Sequence, residues 1–364
     1  MKTQPAIDLK HKRIVILYML YFGDMVSLSP FLHVLRKAAE GSHITLVADS
    51  RFQEAAAYSP YIDEVIPVDR KGLGLSGTWK LGKKIGKKKP DLLFVLHGTA
   101  RTSLMALAMK PRYWLGEAGT RLDHFLMDRE ILVERRDCHA AEKYVKVLES
   151  MGVIDTGHPG MELFTCPAWE EAAARFFEAR HIRRGDKLIG FSVGSSTPEK
   201  NWPACRFGKV ADYFAGKGYI PVFFGVASEK EWIEEALSVM THRENAIVAA
   251  GVLSMGEFMA AASWCSAAFT NDSGPMYVFD SRGVPTVAFF GPSNAKLHHP
   301  MGARSCALMS TDMPLTQDHV SHTIRDRSYR PIETISVEEA IRAGEWALGM
   351  QSSDRYSRHY ILAE

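Results

Sequence analysis

The chain holds 364 residues, 46% hydrophobic and 24% charged, with a formal net charge of +2. That composition belongs to a soluble globular protein of two ordinary domains, and the near-neutral total excludes a chain that binds nucleic acid through overall basicity. The five cysteines show no C-x-x-C spacing, which excludes a readable zinc site and fits a reducing compartment; no apolar run reaches the roughly 18–20 residues of a membrane span. The opening MKTQPAIDLKHKR carries charges where a signal peptide needs an apolar stretch, so a cytoplasmic location is expected. Charge is unevenly spread. Residues 1–150 carry 24 Lys+Arg against 17 Asp+Glu, a net +7, which leaves −5 for the remainder. The two halves are therefore expected to meet different partners.

In chain order, RIVILYML (13–20) predicts a short strand, followed by YFGD and a helical MVSLSPFLHVLRKAAE. HITLVADS (43–50) predicts a strand, RFQEAAAY a helix and IDEVIPVD (62–69) a third strand. The run RKGLGLSGTWKLGKKIGKKKP (70–90), with its glycines and eight basic residues, interrupts this alternation before the strand DLLFVLHG (91–98). A second series starts near residue 166 with helix AWEEAAARFFEAR, strand DKLIGFSVG, helix PACRFGKVADYFAGKG and strand YIPVFFG. It continues with helix EKEWIEEALSVM, strand AIVAAG, helix MGEFMAAASWCS, and strands AAFTND and PTVAFFG. TISVEEAIRAGEWALGM (334–350) predicts a closing helix capped by Ser336. Such alternation predicts an α/β protein of two Rossmann-like domains, their parallel sheets facing a central cleft. The expected domains are 1–165 and 166–345, and the tail 346–364 could pack back on the first of them.

Open parallel sheets bind ligands beyond the carboxyl ends of their strands. GSSTPEKNWP (194–203) follows one such strand: Ser195, Ser196 and their amides, with the charge of Lys200, suit an anion, although a plain turn has the same composition. NDSGP (271–275) closes another strand of the same half. The amides of Ser273 and Gly274 would open a helix where a phosphate could sit, with helix capping as the competing role for Asp272. Two such loops on one sheet edge suit a nucleotide diphosphate. Glu229 follows a strand by a few residues and could accept hydrogen bonds from ribose hydroxyls, or merely complement a helix dipole. In the first half, Asp24 ends the first strand among apolar neighbours. It is expected to be partly desolvated and to act as a general base, with capping of the next helix as the alternative. His97 and Arg101, in LHGTARTSL, could hold a hydroxyl-rich or anionic acceptor. The chain carries no P-loop, no G-x-G-x-x-G in its first βα unit, no D-x-D and no G-x-S-x-G.

The segments GDMVSLSPFLHVLRKA, ITLVADSRFQEAAAYSPYIDEVIPVD, GSSTPEKNWP and TNDSGPMYVFDSRGVPTVAFFGPS resemble, in that order, glycosyltransferase family 9, the lipopolysaccharide heptosyltransferases. The resemblance covers about residues 12–345. It implies a GT-B fold, with the acceptor on the first domain and the sugar nucleotide on the second. It also implies inverting transfer of heptose from ADP-heptose to a core oligosaccharide, with no metal and no cofactor. Asp24 would be the general base and Ser195, Ser196 and Lys200 the phosphate loop. Glu229 would bind the ribose, Leu253 would cover the adenine, and Asp272, Ser273 and Gly274 would grip the donor. Lys200 and the loop amides would then stabilise the departing ADP in place of a metal. One departure stands out: the family often has His where this chain has Tyr277, which can donate a hydrogen bond but is not a cation near neutral pH. The alternatives are a GT-B transferase or epimerase that uses a UDP-sugar, and a non-catalytic sugar-nucleotide-binding protein. The implied partners are ADP-heptose and a lipopolysaccharide core acceptor, and no nucleic acid. The basic stretch Lys80–Lys89, with Arg101 and Arg112, could meet an acidic glycolipid at the cytoplasmic face of the inner membrane.

Overall fold

The computed structural model describes residues 7–131, 138–154, 157–310, 330–352, 355–356 and 360–362. The chain divides into two compact units, Met1–Phe164 and Thr165–Glu364. In the first, strands β1 (Arg13–Leu17), β2 (His43–Asp49), β3 (Glu64–Val68), β4 (Leu92–Val95), β5 (Tyr113–Gly116) and β6 (Arg129–Glu130) lie in the order β3-β2-β1-β4-β5-β6. Every pairing is parallel. The helices are α1 (Phe22–Ser27), α2 (Ser29–Ala38), α3 (Leu75–Gly86), α4 (Ala100–Met109), α5 (Asp123–Leu126) and α6 (Ala140–Glu149). Strands β1 and β4 are buried almost throughout, as continuous apolar runs in a sheet covered on both faces must be.

The second unit repeats this plan. Strands β7 (Leu188–Ser192), β8 (Ile220–Phe223), β9 (Ile247–Val248), β10 (Cys265–Asn271), β11 (Thr286–Phe290), β12 (Cys306–Met309) and β13 (Tyr360–Leu362) form a sheet in the order β13-β12-β11-β10-β7-β8-β9. All its pairings are parallel too. Its helices are α7 (Pro167–Glu178), α8 (Ala204–Ala215), α9 (Lys230–Ser238), α10 (Met255–Ala262), α11 (Gly274–Ser281), α12 (Ala295–His298) and α13 (Val337–Ala347). Its core holds an aromatic ladder: Phe191 stacks on Phe223 at 5.2 Å and on Phe269 at 5.3 Å. Each ring stands on a neighbouring strand, so the ladder locks the sheet's register.

Three sequence expectations are corrected. RFQEAAAY is not a helix but one 3₁₀ turn, Gln53–Ala55, because Pro60 leaves no room for propagation. The glycine-rich 70–90 stretch does not interrupt the alternation; it contains α3. Its glycines are there for contact. A Cβ on Gly82 would stand 2.6 Å from the Met105 carbonyl oxygen, and one on Gly86 would strike the Met109 carbonyl, so α3 can press its backbone against α4. The tail, where it is described, joins the second unit: Tyr360–Leu362 pairs with β12 and extends the second sheet. Residues 353–354, 357–359 and 363–364 of the tail lie outside the described residues.

In each sheet the strand order reverses at one point, between β1 and β4 and between β7 and β10. There the following helices depart to opposite faces and leave a crevice for ligand. Asp24 and His97 follow β1 and β4, and Ser195 and Asp272 follow β7 and β10. The candidates chosen from sequence thus fall on both switch points.

Candidate functional site

The β7 and β10 loops are brought together. Lys200, in the single turn Pro198–Lys200, places Nζ 2.6 Å from Asp272 Oδ2. Ser293, in the loop after β11, donates its hydroxyl to the same oxygen at 2.5 Å. Asp272 is 6% exposed. Burial opposes its ionisation, but the charges of Lys200 and His298, with the hydrogen bonds from Lys200 and Ser293, outweigh burial and hold its carboxyl below the usual range. Helix capping is therefore not its role: Ser273 occupies the cap of α11. The Ser273 hydroxyl turns back to the Asn271 carbonyl at 3.3 Å and makes no side-chain cap bond, so the opening of α11 is presented by backbone.

The phosphate-type loop is held by residues that the sequence reading passed over. Buried Asn271 accepts from the Trp202 amide at 2.9 Å and donates to the Val193 carbonyl at 2.8 Å, clasping both ends of residues 194–201. Trp202 stacks on Phe289 at 4.1 Å and donates its indole N–H to the Ile335 carbonyl at 3.0 Å. Within the loop, the Ser195 hydroxyl donates to the Thr197 carbonyl at 2.8 Å and accepts from its amide at 3.2 Å, while Ser196 is exposed. An asparagine beside Asp272 and a tryptophan closing the loop were the available signals.

Glu229 stands beside this loop. Its carboxylate lies so close to Gly194 and Gly225 that a Cβ on either would strike it. It accepts from the Val226 amide at 3.0 Å, and burial pushes its pKa up, against the lowering effect of that hydrogen bond. Gly251 donates to the Gly225 carbonyl at 2.9 Å, so the loop carrying half-buried Leu253 adjoins that of Glu229. Leu253, Glu229, Ser195, Lys200, Asp272, Gly274 and Tyr277 thus stand on the segments that follow β9, β8, β7 and β10, neighbouring strands of one sheet, with Gly274 and Tyr277 in the first turn of α11. Buried Tyr277 lies one turn into α11, its hydroxyl 3.4 Å from Nδ1 of His298. Ser293 and His298 were not foreseen.

In the first unit, half-buried Asp24 is the third residue of α1, and its Oδ2 accepts from the Tyr21 amide at 3.2 Å. The capping role weighed from sequence is therefore present. Fully buried Tyr18 donates or accepts at 3.1 Å with Tyr144; burial first, then the Tyr144, Asp24 and Glu117 charges, push its phenol well above its ordinary value. Glu117, just past β5, pairs with Lys143 at 2.5 Å. Arg101 donates to the Arg70 carbonyl, and Arg70 donates to the Met19 carbonyl at 2.5 Å and lies 3.7 Å from Asp49. Arginines thus tie the loops after β1, β3 and β4, with His97 at the β4 exit.

The chain matches the model of glycosyltransferase family 9 (heptosyltransferase) over residues 78–325. It is 38% identical to a family 9 glycosyltransferase of Veillonella parvula of known structure, covering 95% of this chain and 100% of that one, with a TM-score of 0.88. The Escherichia coli ADP-heptose lipopolysaccharide heptosyltransferase II superposes with a TM-score of 0.75 at 20% identity, over 93% of this chain and 99% of that one. Lipooligosaccharide heptosyltransferase 2 of Haemophilus influenzae is 23% identical over 78% of this chain and 85% of its own length. With two Rossmann-like units of the GT-B type, the chain belongs to glycosyltransferase family 9, the heptosyltransferases, and is a glycosyltransferase.

Proposed function

We propose that the enzyme transfers heptose from ADP-heptose to a lipopolysaccharide core acceptor by a single inverting displacement. The observation that carries this reading is the run of loops at the β9-β8-β7-β10 edge. It offers in spatial order an apolar side chain (Leu253), a carboxylate between two glycines (Glu229), and a cation with helix-opening backbone (Lys200, Gly274). Adenine, ribose and diphosphate need these in the same order. Asp24 takes the proton of the acceptor hydroxyl as its oxygen forms a bond to the anomeric carbon. The bond from that carbon to the diphosphate oxygen breaks, and ADP leaves with the electron pair. Lys200 and the amides around Ser195, Ser196, Ser273 and Gly274 stabilise the charge that gathers on it. His97 and Arg101 position the acceptor. The enzyme works in the cytoplasm, against the inner membrane. The exposed lysines of α3, which carries no acidic residue, supply attraction to anionic headgroups. No helix among the described residues is long and apolar enough to cross a membrane.

A thermal-shift comparison of ADP, UDP, GDP and NAD tests the donor. ADP is expected to raise the midpoint most, because only ligand bound to the folded state does so. A larger shift with UDP would replace ADP-heptose by a UDP-sugar.

A further inference from the structure

The loop after β11 touches the β10–α11 segment twice. Ser293 reaches Asp272 in front of the helix, and five residues later His298 reaches the Tyr277 hydroxyl one turn inside it. Between them Asn294 caps α12, accepting from the Lys296 amide at 3.0 Å, which fixes where the last residue of that short helix points. His298 is half-buried and Tyr277 is 8% exposed, so the contact is not a surface coincidence.

Charge gives this contact a use. Lys200 and Asp272 form an ion pair in which the carboxylate offsets part of the lysine's charge, so a second cation adds to the attraction a diphosphate meets there. When protonated, the His298 imidazole would add positive charge to this region, and that charge would count most when ADP departs with its extra negative charge. His298 is also one of the charges that hold Asp272 ionised, which agrees with its standing in the same field.

Building on the donor site proposed above, we infer that His298 is a further ligand of the donor's diphosphate. It is handed in from the end of α12, the short helix after β11, and aimed by the Tyr277 hydroxyl.

Titration calorimetry with ADP and with adenosine tests the inference. His298→Ala is expected to weaken ADP about tenfold, the size of one lost charge-assisted hydrogen bond, and to leave adenosine unchanged. His298→Gln, which can still hydrogen-bond Tyr277 but carries no charge, should show the same loss; a purely structural contact would tolerate it. The double variant Tyr277→His with His298→Ala should regain most of the ADP affinity. Equal weakening of ADP and adenosine, wild-type ADP affinity in both single variants, or no regain in the double variant would overturn the assignment. Lys200→Ala in parallel separates the two layers. If it weakens ADP while the His298 variants do not, the donor site stands and only this inference falls; if Lys200→Ala binds ADP normally, both fall.

Discussion

The two units share one strand order, yet their switch-point loops are held in different ways. In the second unit, a buried carboxylate, a lysine, a serine and a side-chain amide cross-link loops from three strands. In the first, arginines reach over to backbone carbonyls, and Asp24 is held by the amide of Tyr21, the residue that caps its own helix. A diphosphate is the same in every turnover and suits a fixed ring of partners. An acceptor glycan is larger, and long cationic side chains anchored to carbonyls can follow its shape. On the function proposed above, the same sheet plan serves two kinds of recognition.

Variants that act on one unit alone sharpen this contrast. The largest effect is expected from Asp24→Ala, which should cut turnover about 10³-fold, as loss of a general base does, while calorimetry finds ADP affinity unchanged. Ordinary turnover would remove Asp24 as the base. Next, Lys200→Ala leaves Asp272 buried without its cation. It should cost about 3–5 kcal/mol in urea unfolding at neutral pH and weaken ADP as well. The sign of its pH dependence follows from the shifts. In the wild type, Asp272 is depressed, so its stabilisation is present above the unfolded value and lost only as pH falls through the folded one. Without Lys200 burial gains weight and the carboxyl rises. The deficit of the variant should therefore shrink on going from neutral pH to about pH 5. A deficit that is constant with pH would mean the pair is not the source. The smallest effect is expected from Gly82→Ala, which forces a methyl against the Met105 carbonyl and should destabilise by about 1–3 kcal/mol. ADP affinity should not change, because α3 belongs to the other unit.

Much of this was legible beforehand, for a physical reason. Strands buried on both faces read as unbroken apolar runs, so RIVIL, LIGFS and TVAFF were plain, and the loops after them had to hold ligand groups. Ser195, Lys200 and Asp272 were singled out by position and residue type, and the structure brings Lys200 and Asp272 together. What could not be read was contact between distant segments. Asn271 with Trp202, Ser293 with Asp272, and His298 with Tyr277 are 69, 21 and 21 residues apart. The short β5 and β6 and the strand 360–362 escaped because two to four residues carry no period. The α3 glycines misled for a different reason: read as a break in the alternation, they are a fit to a neighbouring backbone.

The clasp made by Asn271 carries a consequence for kinetics. One side-chain amide secures both ends of the 194–201 loop to the sheet through contacts made entirely within the protein. In the donor site proposed above, little conformational entropy is then spent on binding a nucleotide, because no segment has to fold around it. Release of product from such a preformed loop is then expected to depend on breaking contacts and not on opening a fold.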